Sequence, residues 1–180
     1  MEKQNISKSK RTFFEWMEAF ITSIIIVVLL FTFVFRVATV VGSSMENTVF
    51  DGDKLILTDF LYTPDNGDIV VIQKAQHFEK PIIKRVIAKG GQTLNIDFYT
   101  GDVVVDGKLL DEKYIKNPTT RDEGGEIPSV IPEGYIFVMG DNRGNSKDSR
   151  SEQIGLIDVR NVIGKAQFIA YPFQRAGGLY

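Results

Sequence analysis

The chain opens polar and then loses its charge altogether. Lys3, Lys8, Lys10 and Arg11 dominate the first part of residues 1–18, whereas the 17 residues from Ala19 to Phe35 (AFITSIIIVVLLFTFVF) carry no charge at all. As a helix that run spans about 25 Å, slightly short of a ~30 Å hydrocarbon core. Arg36 can snorkel to the interface, and Val37 to Val41 continue the apolar character, which completes the span. The basic residues ahead of it predict a cytoplasmic N-terminus and an external C-terminal part. A cleaved leader is the competing reading. Against it, the run exceeds the roughly 7–15 residues of a leader's apolar stretch, and Val37-Ala38-Thr39 is a poor small-residue cleavage site. The pattern therefore divides the chain into a cytoplasmic tail (1–18), a single membrane anchor (19–36) and an extracellular domain (37–180).

After the anchor the pattern changes to period two and short apolar runs. Strands are predicted over Lys54-Leu55-Ile56-Leu57, Asp68 to Ile72, Ile82 to Ala88, Thr93 to Ile96, Val103 to Val105 and Ile136 to Met139. Asp106-Gly107, set between Val103-Val104-Val105 and Lys108-Leu109-Leu110, predicts a hairpin, because a type I′ turn needs positive φ at both central residues. Asp65-Asn66-Gly67-Asp68 predicts a second turn. Residues 112–133 mix prolines, glycines and charges without periodicity and read as a surface insertion. No ten-residue helical stripe follows residue 42, and only a short turn is expected near Asp158–Val162. The external part is thus predicted to be a mostly β, antiparallel domain.

Composition narrows the chemistry. A length of 180 residues fits one domain plus an anchor, and a net charge of −2 gives no footprint for nucleic acid. The absence of cysteine excludes disulfides, thiolate catalysis and cysteine zinc sites. One histidine, His77, lies in a polar, turn-like stretch, which argues against a Ser-His-Asp triad.

Three stretches then stand out. Gly42-Ser43-Ser44-Met45 follows the apolar run at once; taken alone it also fits a flexible junction. Ser44 lies eight residues beyond Arg36, within ~26 Å of extended chain, so a nucleophile there suits substrates arriving in the membrane. In the predicted strand 82–88, Ile82, Lys84, Val86 and Ala88 share one face and Arg85 the other. An amine among apolar neighbours loses its charge more readily and can serve as a base, whereas arginine stays charged and suits an ion pair. Taken alone, Lys84-Arg85 also fits an exposed pair on an edge strand. Gly140-Asp141-Asn142-Arg143-Gly144 reads as a tight loop, after which Ser146, Asp148 and Arg150 fall on one side if extended. A solvated polar loop is the bland alternative. A serine hydroxyl needs a neighbouring base, and lysine serves only when burial depresses its pKa.

In their order and spacing these segments resemble the type I signal peptidases, in particular the small, single-anchor kind of Gram-positive bacteria. The resemblance runs from the anchor almost to the C-terminus. It implies Ser44 as nucleophile, Lys84 as general base, Ser146 as the residue orienting the lysine, and ion pairs of Asp141 with Arg85 and Asp148 with Arg150. Gly67-Asp68-Ile69-Val70-Val71 matches a structural box of the family. The oxyanion donor implied is the Ser44 backbone N–H. Gly42 stands where some members supply a second donor from a serine hydroxyl. Preference for small residues before the cut is also implied, and Val40, Met45 and Ile83 are the expected walls of the shallow pockets. No metal or organic cofactor is called for. The implied partners are the signal peptides of preproteins, membrane lipid and a nearby secretion translocon.

Two prolines and one aspartate of the family pattern are missing. Asn47 replaces the proline of Ser-Met-x-Pro-Thr, and Gly90 and Gln92 replace the proline and aspartate of Gly-x-Pro-Gly-Asp. Proline fixes φ and pre-orders a turn, so looser or differently shaped loops are expected beside the site. With serine and lysine intact, these changes point to specialisation on a subset of substrates, such as pilin precursors. Two other readings are a non-proteolytic, membrane-anchored assembly factor that binds precursors, and a soluble Ser-Lys autoprotease. The apolar segment and the lack of a DNA-binding domain count against the second.

Overall fold

The structure is a computed structural model that describes residues 2–33, 35–59, 61–75, 77 and 80–179. It divides into two compact units, residues 1–36 and 37–180. The first is dominated by one helix, α1 (Glu2–Phe33). The helix starts well before the charge-free run and takes in most of the polar tail, aided by an Arg11–Glu15 pair one turn apart at 3.0 Å. It ends at Phe33, so the residues that follow do not lengthen it as the sequence pattern suggests. The stretch suited to crossing a membrane is Lys10–Leu29, with mean hydropathy 1.8, and about 30 Å long at 1.5 Å per residue. Phe13, Trp16, Phe20 and Ile24 on it are exposed, which suits contact with lipid. Ser23 and Thr32 donate their hydroxyls to the carbonyls of Ala19 and Val28, at 2.8 and 2.7 Å, so these two hydroxyl protons are paired in an apolar setting.

Apart from short 3₁₀ turns, the remaining described elements are strands: β1 (Phe35–Thr39), β2 (Lys54–Thr58), β3 (Ile69–Ile72), β4 (Ile82–Lys89), β5 (Leu94–Asp97), β6 (Asp102–Val105), β7 (Lys108–Leu109), β8 (Tyr135–Met139), β9 (Ile157–Asp158), β10 (Val162–Tyr171) and β11 (Gly177–Gly178). The main sheet runs β1-β2-β10-β3-β4-β8-β9, with β11 pairing β10, and a second sheet runs β5-β6-β7. The hairpin between β6 and β7 turns at Asp106 and Gly107, whose φ values of 50° and 74° are those a type I′ turn requires. The mostly β, antiparallel fold is as the pattern predicts, and a single turn of 3₁₀ helix occupies Val159–Asn161.

β3 shows how the sheet divides the core. Its four residues are all buried; Ile69 and Val71 enter one apolar cluster, Val70 and Ile72 another. β8 likewise sends Ile136 and Val138 one way and Phe137 and Met139 the other. β4 lies between these two strands, so it is an interior strand and not the exposed edge that its charged pair could suggest. The predicted alternation holds for Ile82 and Val86, which pack on one cluster. A bulge between Val86 and Ala88 then shifts Ala88 into another.

Residues 112–133 form no strand, but they are more than a surface insertion. Thr119 and Ile131 are buried, and Glu112 and Tyr114 reach the buried guanidinium groups of Arg143 and Arg85. Polar side chains that look solvated in sequence are here satisfied by partners inside the domain.

Candidate active site

Ser44 sits in a turn between β1 and β2. Met45 and Val49 anchor this turn from inside, both fully buried in the cluster that also holds Val40. Backbone bonds close it, from Glu46 N to Ser43 O (3.1 Å) and from Val49 N to Met45 O (3.0 Å). Gly42, at φ 89°, donates its N–H to Asp51 Oδ1 at 2.7 Å.

The loop after β8 grips this turn from the other side. Asn142 N donates to Ser44 O and Asn142 Nδ2 to Ser43 O, both at 3.0 Å, and Asn145 Nδ2 donates to Ser43 Oγ at 2.9 Å. The approach requires glycine at 140. A Cβ there would lie 2.4 Å from the Ser44 carbonyl oxygen and 2.2 Å from Ser146 Oγ.

Lys84, from the middle of β4, is only 3% exposed. Its Nζ donates to Ser44 Oγ at 2.7 Å and to the Ile83 carbonyl at 3.0 Å. Burial pulls its pKa down from the usual 10.5 to about 8; the carboxylates of Asp148 and Asp141 oppose the fall, and Arg150 adds to it. At neutral pH a useful fraction of the amine is therefore neutral, with a lone pair beside a serine hydroxyl. That is what proton abstraction from a nucleophile requires.

Two ion pairs brace the surroundings, both bidentate and both buried. Arg85 donates to Asp141 from Nε at 2.9 Å and from Nη2 at 2.7 Å, and Arg150 donates to Asp148 from Nε and Nη2, each at 2.8 Å. Arg85 also binds the Gly67 carbonyl at 2.7 Å and stacks on Tyr114, 4.0 Å from the ring centroid. Thr48 holds Asp141 by a short hydrogen bond, while Asp148 accepts from Gly140 N at 2.9 Å.

Ser146 lies beside Gly140, buried, but its Oγ has no hydrogen-bond partner among the described residues. It thus makes no bond to the Lys84 amine, whose observed acceptors are Ser44 and Ile83. Of the expected pocket walls, Val40 and Met45 are buried at 3% and 1% exposure, so only half-buried Ile83 has surface to offer a peptide. His77 is exposed in a turn. Among the described residues no cluster of three His, Cys, Asp or Glu side chains is arranged to hold a metal ion. A cleft of about 1000 Å³ lined by residues including Lys74, Tyr135, Glu152 and Asp158 contains none of the site residues above.

Sequence reasoning missed Arg143, which is fully buried and binds Glu112, Thr119 and the Gly140 carbonyl. Its place in the Gly140–Gly144 loop is visible in sequence, but its partners on residues 112–119 are not. The gripping roles of Asn142 and Asn145 were missed for the same reason.

Comparison with known proteins identifies the family. The family described as signal peptidase, peptidase S26, matches residues 13–171. Signal peptidase I of Bacillus licheniformis is 33% identical, over 96% of this chain and 96% of that one. Signal peptidase I T of Bacillus subtilis is 32% identical, over 95% of this chain and 92% of its own. A crystal structure of a signal peptidase I from Enterococcus faecalis superposes with a TM-score of 0.50 at 26% identity, covering 59% of this chain and 98% of that one. A match of that extent, on a β domain of the same kind, places the chain in the signal peptidase family, peptidase S26.

Proposed function

We propose that Ser44 is the nucleophile and Lys84 the general base with which this type I signal peptidase removes signal peptides from preproteins. The observation that carries the reading is the 2.7 Å contact between Lys84 Nζ and Ser44 Oγ, made by an amine whose burial holds its pKa near 8. Neutral Lys84 takes the Ser44 proton as Oγ adds to the scissile carbonyl. The oxyanion of the tetrahedral intermediate is met by the Ser44 N–H, and Gly42 supplies no side-chain donor. Collapse breaks the C–N bond, and the Lys84 ammonium protonates the departing amine of the mature chain. Water then attacks the acyl-enzyme, giving its proton to Lys84. The second collapse frees the signal peptide's carboxylate and returns the proton to Ser44. The Arg85–Asp141 and Arg150–Asp148 pairs fix the strand and loop that carry the pair of catalytic groups.

The reading extends to location and substrate range. With Lys and Arg ahead of the apolar stretch of α1, the chain crosses the membrane once, its N-terminus cytoplasmic and residues 37–180 extracellular, with lipid and the secretion translocon as neighbours. Asn47, Gly90 and Gln92 reshape the loops of this domain, and a narrowed range that includes pilin precursors is the specialisation proposed.

The test is cleavage of a general preprotein and of a pilin precursor by the full chain in detergent, beside Ser44→Ala and Lys84→Ala. Cleavage after a small residue, lost in both variants, is the expected result. Retained cleavage in either variant would refute the assignment. Equal inertness of all three proteins with precursor binding intact would favour a non-proteolytic assembly factor.

A further inference from the structure

An oxyanion donor works only if its direction is fixed before charge develops on the substrate. The Ser44 N–H belongs to the peptide group that joins Ser43 to Ser44, and in a trans peptide the Ser43 carbonyl points the opposite way. Whatever holds that carbonyl therefore aims the N–H. Two donors hold it: Glu46 N at 3.1 Å and Asn142 Nδ2 at 3.0 Å. Glu46 lies within the same turn and moves with it, so it cannot fix the peptide against the rest of the domain. Asn142 comes from the loop after β8, is only 4% exposed, and also donates its backbone N–H to the Ser44 carbonyl at 3.0 Å. It thus grips the peptide groups on both sides of Ser44. Its own loop is anchored where Gly140 N meets Asp148 and where the Gly140 carbonyl accepts from Arg143. The Ser44 N–H itself donates to no other group among the described residues.

We propose that Asn142 is a positioning residue of the oxyanion hole: by holding the Ser43 carbonyl, its carboxamide aims the Ser44 N–H at the developing oxyanion. The inference rests on Ser44 being the nucleophile. It carries extra weight in a chain with Gly42, because a lone donor that swings out of line has no side-chain hydroxyl beside it to share the charge.

The test is steady-state cleavage of a preprotein by the full chain carrying Asn142→Ala, with Ser44→Ala in parallel and unfolding temperatures recorded for each. Asn142→Leu, similar in size and equally without a donor, is the second variant should the alanine variant unfold. The expected result is a kcat lower by about 10- to 100-fold, with KM and the midpoint of the rate–pH profile unmoved, because substrate binding and Lys84 are untouched. A kcat within about threefold of wild type would overturn the proposal. So would a displaced pH midpoint, which would mean that Asn142 acts on Lys84, or the unfolding of both variants, which would make its role structural. Should Ser44→Ala keep cleaving, the nucleophile assignment itself fails. Should Ser44→Ala be inert while the Asn142 variants keep their kcat, only the present inference fails.

Discussion

Replacing Lys84 by methionine is expected to abolish cleavage and yet stabilise the protein at neutral pH. The amine is buried, and its pKa falls from 10.5 in the open chain to about 8 in the fold, chiefly through lost hydration. Because the folded value is the lower one, the unfolded chain binds more protons between about pH 8 and 10.5, and stability rises with pH across that window. Below it the whole penalty applies, roughly 3 kcal/mol at ~1.4 kcal/mol per tenfold change in proton affinity. Methionine removes that penalty but gives up the hydrogen bonds to Ser44 and the Ile83 carbonyl, together worth about 1–2 kcal/mol. Lys84→Met should therefore gain about 1–2 kcal/mol at pH 7, lose that advantage as the pH climbs through 8, and be the less stable protein above 10.5. Chemical unfolding of the full chain in detergent, followed by circular dichroism at several pH values, measures this. Fluorescence of the single tryptophan would not, since Trp16 lies on α1. A variant less stable than wild type at pH 7, or a difference that stays constant from pH 7 to 10.5, would refute the reasoning.

The other predictions concern the supports of the site. Asp141→Ala strands Arg85, at 1% exposure, without its bidentate partner and should cost about 3–5 kcal/mol; Arg85→Met combined with Asp141→Leu should recover much of it. A loss below about 1 kcal/mol in calorimetry would show that the pair is not the brace described. Asn47→Pro should largely abolish folding or cleavage, because proline holds φ near −65° and Asn47 sits at 95°. Asn47→Gly keeps that backbone but loses the bonds to the Tyr114 and Ile115 carbonyls, and should lower stability by only about 1 kcal/mol. Similar unfolding midpoints for the two variants would count against this account.

What could be read from the sequence depended on whether the determinant was local. β2 to β8 follow from short alternating runs and turn residues, and Asp106-Gly107 announces its hairpin. β10, which joins β2 to β3, was not legible. Register shifts between Val162 and Gly164, Ala166 and Phe168, and Ile169 and Tyr171 break its alternation, so ten strand residues show no period of two. The helix boundaries were misplaced because charge, and not backbone preference, marked them; Glu2 to Glu18 belong to the helix despite their polarity. In the site, Ser44, Lys84 and the two ion pairs stand in a recognisable order. Arg143, Asn142 and Glu112 do not, since their partners lie on segments that only the fold brings near.

Asn47, Gly90 and Gln92 show why a missing motif residue does not imply a loosened loop. Asn47 adopts a left-handed backbone that proline cannot reach, and its carboxamide ties the turn that carries Ser44 to the carbonyls of Tyr114 and Ile115. Gly90 packs against the segment at Pro132 and Glu133, where an added Cβ would come within 2.9 Å of the Glu133 Cα. Gln92 accepts from Lys89 N at 3.0 Å and donates to Asp106 Oδ2 at 2.8 Å. An aspartate at 92 has an acceptor for the first bond and no proton for the second, and would face Asp106 with like charge. Each replacement makes contacts that the family residue would forgo. The loops are therefore tied down by contacts of their own, as an altered substrate range beside the proposed Ser44–Lys84 pair would require.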